Sequence, residues 1–462
     1  MKAILPVLDE TRKRPYYLQL YDHISEAILR GDIAEGEKLP SLRNLAKSTG
    51  LSVTTVEQCY NQLLVEGYVY SKAQSGYYVN NVFMHSEKTV PIDSAASFKQ
   101  VNSGGFLNDM QGVEINQLHD PDCFDFNKWK KCMNKILTEY SATLFFEGDP
   151  QGEQNLRSEI ARYLYMSRGV SCSPNQIIIA AGTQQITNHL ATILRKIGIE
   201  HVALEDPGYA PVRSMFRDRG FAITDVPVAA DGLAIEKLPA NIRTAAYVSP
   251  SNNVFTGAVM PVGRRYQLLS WAAENNSYII EDDYDSELRY FGKPVPALKS
   301  LESSGRVIYL GSFSSTLFAA VKISYMVLPQ EMAELFSSMA GDYSQTCSKL
   351  EQLTLAMFME TGNYQTHIKK LRKLYSQKLA LVTEVLSSES ADSIKVRNTS
   401  SGVNIILEVD SPKETIQLKK EADSLGLPIS VLDDGLFVFN YNQIPVSDIP
   451  SLLRKLALLW SR

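Results

Sequence analysis

The sequence predicts an α/β chain in three parts: an N-terminal winged helix-turn-helix, a large domain on a mainly parallel sheet, and a small α+β domain. Three observations carry this. The first eighty residues alternate in the order helix, helix, helix, hairpin. From about residue 145, short continuous apolar strands alternate with helices, the mark of a parallel sheet covered on both faces. Beyond about residue 330 the pattern is helical, and a short α+β stretch closes the chain. The expected boundaries are 1–80, a linker over 81–115, 116–330 and 331–462.

The elements follow in order. Leu20, Ile24, Ala27 and Ile28 recur at helical spacing, and the run stops at Gly31. Ser41, behind Pro40, is a predicted N-cap for a second helix that ends at Gly50. Ser52 opens a third, with Val56, Tyr60, Leu63 and Leu64 on one face and Gly67 as its stop. The stretch YVYSKAQSGYYV then reads as two strands around a Gly-containing turn. Residues 81–115 are polar, weakly patterned and rich in small side chains, as linkers are. QIIIAA (176–181), HVALE, AAYVS, YIIED and VIYLG are the apolar strands of the large domain.

Composition limits the function classes. The chain has 462 residues, 44% hydrophobic and 21% charged, with a net charge of −5. Such a length exceeds one ordinary core. The mild negative charge argues against coating by nucleic acid but leaves room for one small module with local basic contacts. No apolar run reaches membrane-spanning length, and the N-terminus lacks the apolar core of a secretory signal. Five scattered cysteines and six scattered histidines show no metal-ligand spacing. A cytoplasmic protein with reduced thiols, no metal and no membrane association is expected.

Two regions carry candidate chemistry. A third helix of a helix-turn-helix lies in the major groove with its N-terminal side chains toward base edges. Here those are Ser52, Thr54, Thr55 and Gln58, with Ser41 and Arg43 at the second helix and Lys72 in the hairpin as backbone contacts. The bland alternative is a helical bundle with a solvated polar face. In the large domain, strand, Gly182-Thr183-Gln184 and helix would place free amides and a helix N-terminus where an anion can sit. Asp282, Asp283 and Tyr284 follow a strand's C-terminal end, where α/β sheets bind ligands. Each signal alone is weak: the turn is common in packing, and the acidic run could be a solvated loop.

Residues 16–79 resemble the DNA-binding domain of the GntR family of bacterial transcription regulators. The matching positions include Gly31, Leu39-Pro40-Ser41, Arg43, Leu45-Ala46, Ser52, Thr55-Val56, Tyr60, Leu63, Glu66-Gly67-Tyr68 and Gly76. Val53 stands where that family commonly has a basic residue. The motifs EGDPQGEQNLRSEIARYL, LEDPGYAPV, IIEDDYDSELRY and VIYLGSFSSTL resemble the fold-type I aminotransferase domain of the MocR/GabR subfamily, in which that domain follows a GntR-type one. The resemblance implies a site for pyridoxal 5′-phosphate (PLP). Gly182, Thr183, Gln184 and Ser312 would form the phosphate cup, and Tyr209 would stack on the ring. Asp282 would pair with the ring nitrogen and Tyr284 with the ring hydroxyl. Lys322 stands at the position of a phosphate-binding arginine. The Schiff-base lysine is replaced by Ser315, whose hydroxyl cannot form an imine. Pro211 and Gln443 stand about where relatives carry carboxylate-binding arginines.

The implied protein is a regulator that binds a double-stranded DNA operator as a homodimer. Its aminotransferase-like domain senses a small anionic effector such as a phosphorylated B6 vitamer and lacks catalysis, and any PLP is held non-covalently. The alternatives are a PLP-dependent aminotransferase with a DNA-binding appendage, and a dimerisation scaffold with an empty pocket.

Overall fold

In the computed structural model the described residues are 15–72, 75–80, 120–289, 296–390, 393–399 and 402–461. The expected linker, 81–115, lies outside them. The chain divides into two compact units, Met1–Asp109 and Met110–Arg462.

In the first unit, α1 (Tyr16–Leu29), α2 (Leu42–Thr49) and α3 (Val53–Val65) precede a hairpin of β1 (Val69–Lys72) and β2 (Gly76–Val79). Leu20, Ile24 and Ile28 of α1, Leu45 of α2, and Val56, Tyr60 and Leu63 of α3 share one core. Burying the stripe each helix presents is what holds helices this short together. The Ser41 and Ser52 hydroxyls accept from the amides of Asn44 and Thr55, capping α2 and α3. Gly50, at φ 71°, supplies the left-handed turn that ends α2. The Tyr60 hydroxyl donates to the Pro40 carbonyl at 2.9 Å and so fixes the entry to α2.

The second unit begins with α4 (Phe126–Glu139) and α5 (Gln154–Arg168). An eight-stranded sheet follows: β3 (Ile177–Ala181), β4 (His201–Asp206), β5 (Ala222–Ala229), β6 (Gly232–Leu233), β7 (Thr244–Val248), β8 (Tyr278–Asp282), β9 (Val307–Ser312) and β10 (Ile323–Val327). Between its strands run α6 (Gly182–Lys196), α7 (Ala210–Asp218), α8 (Val262–Glu274) and α9 (Leu298–Leu301). The spatial order is β3-β10-β9-β8-β7-β4-β5-β6. Both faces are covered: Ile177 and Ile179 of β3 enter one core cluster, Ile178 and Ala180 another. That is why the strands read as unbroken apolar runs.

The expectation of a parallel sheet holds for β5, β4, β7, β8 and β9. It needs correction at β10, which runs antiparallel to both β9 and β3. The reason is the connection. Residues 313–322 hold no crossover helix long enough to return the chain to the other end of the sheet, so the next strand must reverse.

After α10 (Gln330–Met339), α11 (Lys349–Glu360) and the long α12 (Asn363–Glu389), the chain forms a four-stranded antiparallel sheet. Its strands are β11 (Ile394–Arg397), β12 (Asn404–Val409), β13 (Ile429–Asp433) and β14 (Leu436–Asn440), in the order β11-β12-β14-β13. The helices α13 (Thr415–Ser424) and α14 (Ile449–Trp460) complete this part, with Phe437, Phe439 and Trp460 in its core.

One buried ion pair stands at the start of this unit. The Lys378 ammonium of α12 lies 2.5 Å from the Asp120 carboxylate, with the two side chains 0% and 2% exposed. It also donates to the Asn442 carbonyl. Among the described residues no helix is long and apolar enough to cross a membrane, and no cluster of His, Cys, Asp or Glu could hold a metal ion. The five cysteines are free thiols.

Candidate ligand pocket and DNA-binding face

The parallel strands β4, β7, β8 and β9 end together, and a cavity of about 280 Å³ opens at their carboxyl ends. Glu205 comes from the end of β4, Ser249 from just past β7, Asp282 from the end of β8 and Ser312 from the end of β9. Backbone groups and side chains converge there because each strand is followed by a turn that leaves the sheet edge open. Thr183, in the first turn of α6, adds a hydroxyl beside that helix's N-terminal amides, which favour an anion.

Asp282 is held by its neighbour in the sheet: the Tyr247 hydroxyl of β7 donates to it at 2.6 Å. Burial raises the Asp282 carboxyl to about 6, against the opposing pull of that hydrogen bond. Burial also raises Glu205 to about 7, opposed by hydrogen bonds from Ser249 and Asn253. The Asn253 amide donates to Glu205 at 3.0 Å, and its oxygen gathers the amides of Phe255 and Thr256. A single asparagine thus ties the loop after β7 to the pocket floor. Asp283 points away from the pocket, as strand alternation requires, and pairs with Arg168 at 2.8 Å.

The turn after β9 is fixed from three sides. Ser324 of β10 donates to the Ser312 hydroxyl at 3.1 Å, and the Ser314 amide donates to the same oxygen at 3.3 Å. The Ser315 hydroxyl donates to the Tyr284 carbonyl at 2.6 Å. The Tyr284 hydroxyl in turn donates to the Asn252 carbonyl at 3.3 Å. Ser315 lines the cavity together with Asp282 and Tyr284.

The candidates from sequence therefore divide. Thr183, Tyr209, Asp282, Tyr284, Ser312 and Ser315 meet around one cavity. Gly182 opens α6 beside Thr183, while Gln184 is exposed and only Thr183 of the three lines the cavity. Lys322 departs from its expected place as the pocket's main positive charge. It is exposed, turns the backbone into β10 at φ 44°, and is not among the lining residues. Pro211 sits in the first turn of α7, and Gln443 lines a separate depression beside β12, β13 and β14. The sequence reasoning missed Tyr247, Glu205 and Arg213. Glu205 carried a signal, an acid closing the strand HVALE; Tyr247 carried none, because its partner is set by sheet order.

In the first unit, Ser41, Arg43, Ser52, Thr54, Gln58 and Lys72 are exposed. Thr55 is half-buried and shares a 2.8 Å hydrogen bond with the Ser52 hydroxyl, so both serve the helix cap. Lys72 stands 4.7 Å from the Tyr78 ring, and Lys38, a residue not anticipated, stands 5.8 Å from the same ring. The tyrosine face holds two ammonium groups on the hairpin.

Comparison with known proteins gives the lineage. Residues 16–79 match the family "Bacterial regulatory proteins, gntR family", and residues 109–454 match "Aminotransferase class I and II". The HTH-type transcriptional regulator YdeL of Bacillus subtilis, itself uncharacterized, is 37% identical over 99% of both chains. The probable rhizopine catabolism regulatory protein MocR of Rhizobium meliloti is 30% identical over 93% of this chain and 89% of its own. The chain belongs to the MocR-like HTH-type transcriptional regulators. The pyridoxine biosynthesis regulator PdxR of Corynebacterium glutamicum is 30% identical over 90% of this MocR-like chain and 88% of its own. The fold of the second unit is that of aminotransferases. LysN, an α-aminoadipate aminotransferase from Thermus thermophilus solved with N-(5′-phosphopyridoxyl)-L-leucine, superposes with a TM-score of 0.64. It is 22% identical, over 74% of this chain and 90% of its own.

Proposed function

We propose that this MocR-like regulator uses its aminotransferase-like domain to sense a small phosphorylated ligand and does not transaminate. The observation that carries this is Ser315. At the turn where the relatives' motif has a lysine, a hydroxyl faces the cavity, and a hydroxyl forms no imine. PLP or a related B6 vitamer is the ligand class the donor set fits. Asp282, kept in place by Tyr247, would face a protonated ring nitrogen, and Tyr284 a ring hydroxyl. Tyr209, half-exposed on the wall, would cover the ring face. Thr183, Ser312 and the first amides of α6 would take the phosphate. When bound, PLP supplies an electrophilic aldehyde; the protein's part is to orient it without a covalent anchor. The relative PdxR, named for pyridoxine biosynthesis, supports a B6 compound as effector. The deciding experiment is mass spectrometry and absorbance of the purified protein titrated with PLP, beside a transamination assay. Stoichiometric reversible binding without turnover is expected; turnover of any amino donor overturns the reading.

A pH dependence follows from Asp282. Its carboxyl titrates at about 6 in the free pocket, and a cationic ring nitrogen binds the ionised form. Below that pH a proton must leave on binding, so affinity for pyridoxamine 5′-phosphate falls with falling pH, by up to about tenfold per unit. Above it this contribution is flat. The ligand's phosphate titrates in the same region, so Asp282→Asn is the reference: the difference in slope between the two proteins reports Asp282. Identical slopes in calorimetry would remove the Asp282 pairing.

On the DNA side, the protein would act in the cytoplasm as a homodimer that sets two α3 helices on two half-sites, in direct or inverted repeat. Arg43, exposed at the start of α2, is the expected phosphate contact. Arg43→Ala should weaken binding to all sequences alike and reduce the log–log salt slope by about 0.9 per lost phosphate contact. Footprinting and salt titration on its own promoter region check this; an unchanged salt slope would assign Arg43 another role.

A further inference from the structure

We propose that Arg213 is the anion-binding side chain that sets ligand specificity in the 280 Å³ pocket, selecting a ligand with a carboxylate on the side away from the phosphate. The proposal rests on the B6-ligand reading and extends it from the cofactor-like part to what is attached to it. Three charged side chains line the cavity: Glu205, Asp282 and Arg213. Arg213 is the one cation among them, and Lys322 lies outside the lining. A ligand complementary to this set carries a positive centre for the acids and a negative group for the guanidinium.

The placement of Arg213 follows from α7. Tyr209 caps the helix, and the Arg213 amide donates to the Tyr209 carbonyl at 3.3 Å. One turn therefore separates them, and residues four apart share a helix face. That face, with Val212, forms the pocket wall. Arg213 is steadied from outside the pocket. Its Nη1 donates to Asp225 of β5, whose side chain is 51% exposed, and its Nη2 stands 4.0 Å from Asp206, beyond hydrogen-bonding distance. Exposed pairs of this kind are weak and exchange readily with a better-placed anion. The planar guanidinium can meet a carboxylate through two parallel N–H donors, which an ammonium cannot. Pro211 stands near the start of the same helix, so the loss of a cation at that position leaves Arg213 as the wall's positive group.

The test compares two stable probes by calorimetry on the full chain. One is N-(5′-phosphopyridoxyl)-L-leucine. The other is the matching adduct of isoamylamine, which lacks only the carboxylate. The wild type should prefer the leucine adduct by about ten- to a hundredfold, as a charge-assisted pair implies. Arg213→Gln should abolish that preference and leave affinity for the isoamylamine adduct unchanged, which also reports an intact pocket. Arg213→Lys should restore part of the preference. Equal affinities in the wild type, or a preference that survives Arg213→Gln, overturn the proposal while the B6-ligand reading stands. Failure of both adducts and of pyridoxamine 5′-phosphate to bind the wild type overturns both.

Discussion

Ser315→Lys is expected to convert a pocket that holds PLP reversibly into one that attaches it covalently. The position faces the cavity beside Asp282 and Tyr284, and its turn is pinned through Ser312, Ser314 and Ser324. A lysine there would lose only the 2.6 Å bond from the Ser315 hydroxyl to the Tyr284 carbonyl. Its amine would extend into space already open to ligand. The change should therefore act on chemistry and leave folding nearly untouched, since it adds no volume to a packed core. Borohydride reduction of the PLP-loaded proteins, followed by peptide mapping, reads the outcome. The variant should give a pyridoxyl-lysine peptide covering residue 315 in near-stoichiometric yield, and the wild type none in the 309–329 segment. A wild-type adduct in that segment would refute the non-covalent site. A variant that binds PLP but never captures it would show that the cofactor does not present its aldehyde to this turn.

Lys378→Met should be the most destabilising single change outside the sheet core. It leaves the Asp120 carboxylate buried with its counter-charge gone. Removing one partner of a buried pair costs about 3–5 kcal/mol, because the remaining charge is neither solvated nor paired. Replacing both, as in Asp120→Asn/Lys378→Met, should recover most of the loss, since a neutral buried site carries no ionic desolvation cost. Urea unfolding followed by tryptophan fluorescence isolates the right unit: Trp129, Trp271 and Trp460 all lie in residues 110–462. A single variant within about 1 kcal/mol of wild type would mean that water reaches the pair. The pair matters beyond stability. Asp120 is the first described residue after the expected linker, and Lys378 lies on α12, so this bond fixes where the chain enters the second unit.

Local signals in the chain determined the first unit. Its helices are short, their apolar stripes are regular, and Ser41, Ser52 and Gly50 mark their ends by chemistry that acts within a few residues. The alternating strands and helices of the second unit were legible for the same reason, as were the positions Thr183, Tyr209, Asp282, Tyr284, Ser312 and Ser315, each carried by a motif next to a strand end. What the chain alone did not decide was everything that depends on which strands become neighbours. The reversal of β10 places Ser324 against Ser312, although the two are twelve residues apart. The adjacency of β7 and β8 gives Asp282 its Tyr247 partner across 35 residues. The choice of cation was likewise tertiary. Spacing from the turn favoured Lys322, but a left-handed backbone at the entry to β10 leaves it exposed outside the lining, while the pitch of α7 brings Arg213 to the wall. Sequence spacing measures distance along the chain, whereas a pocket's charge depends on side-chain direction, and that is fixed only when helix and sheet pack.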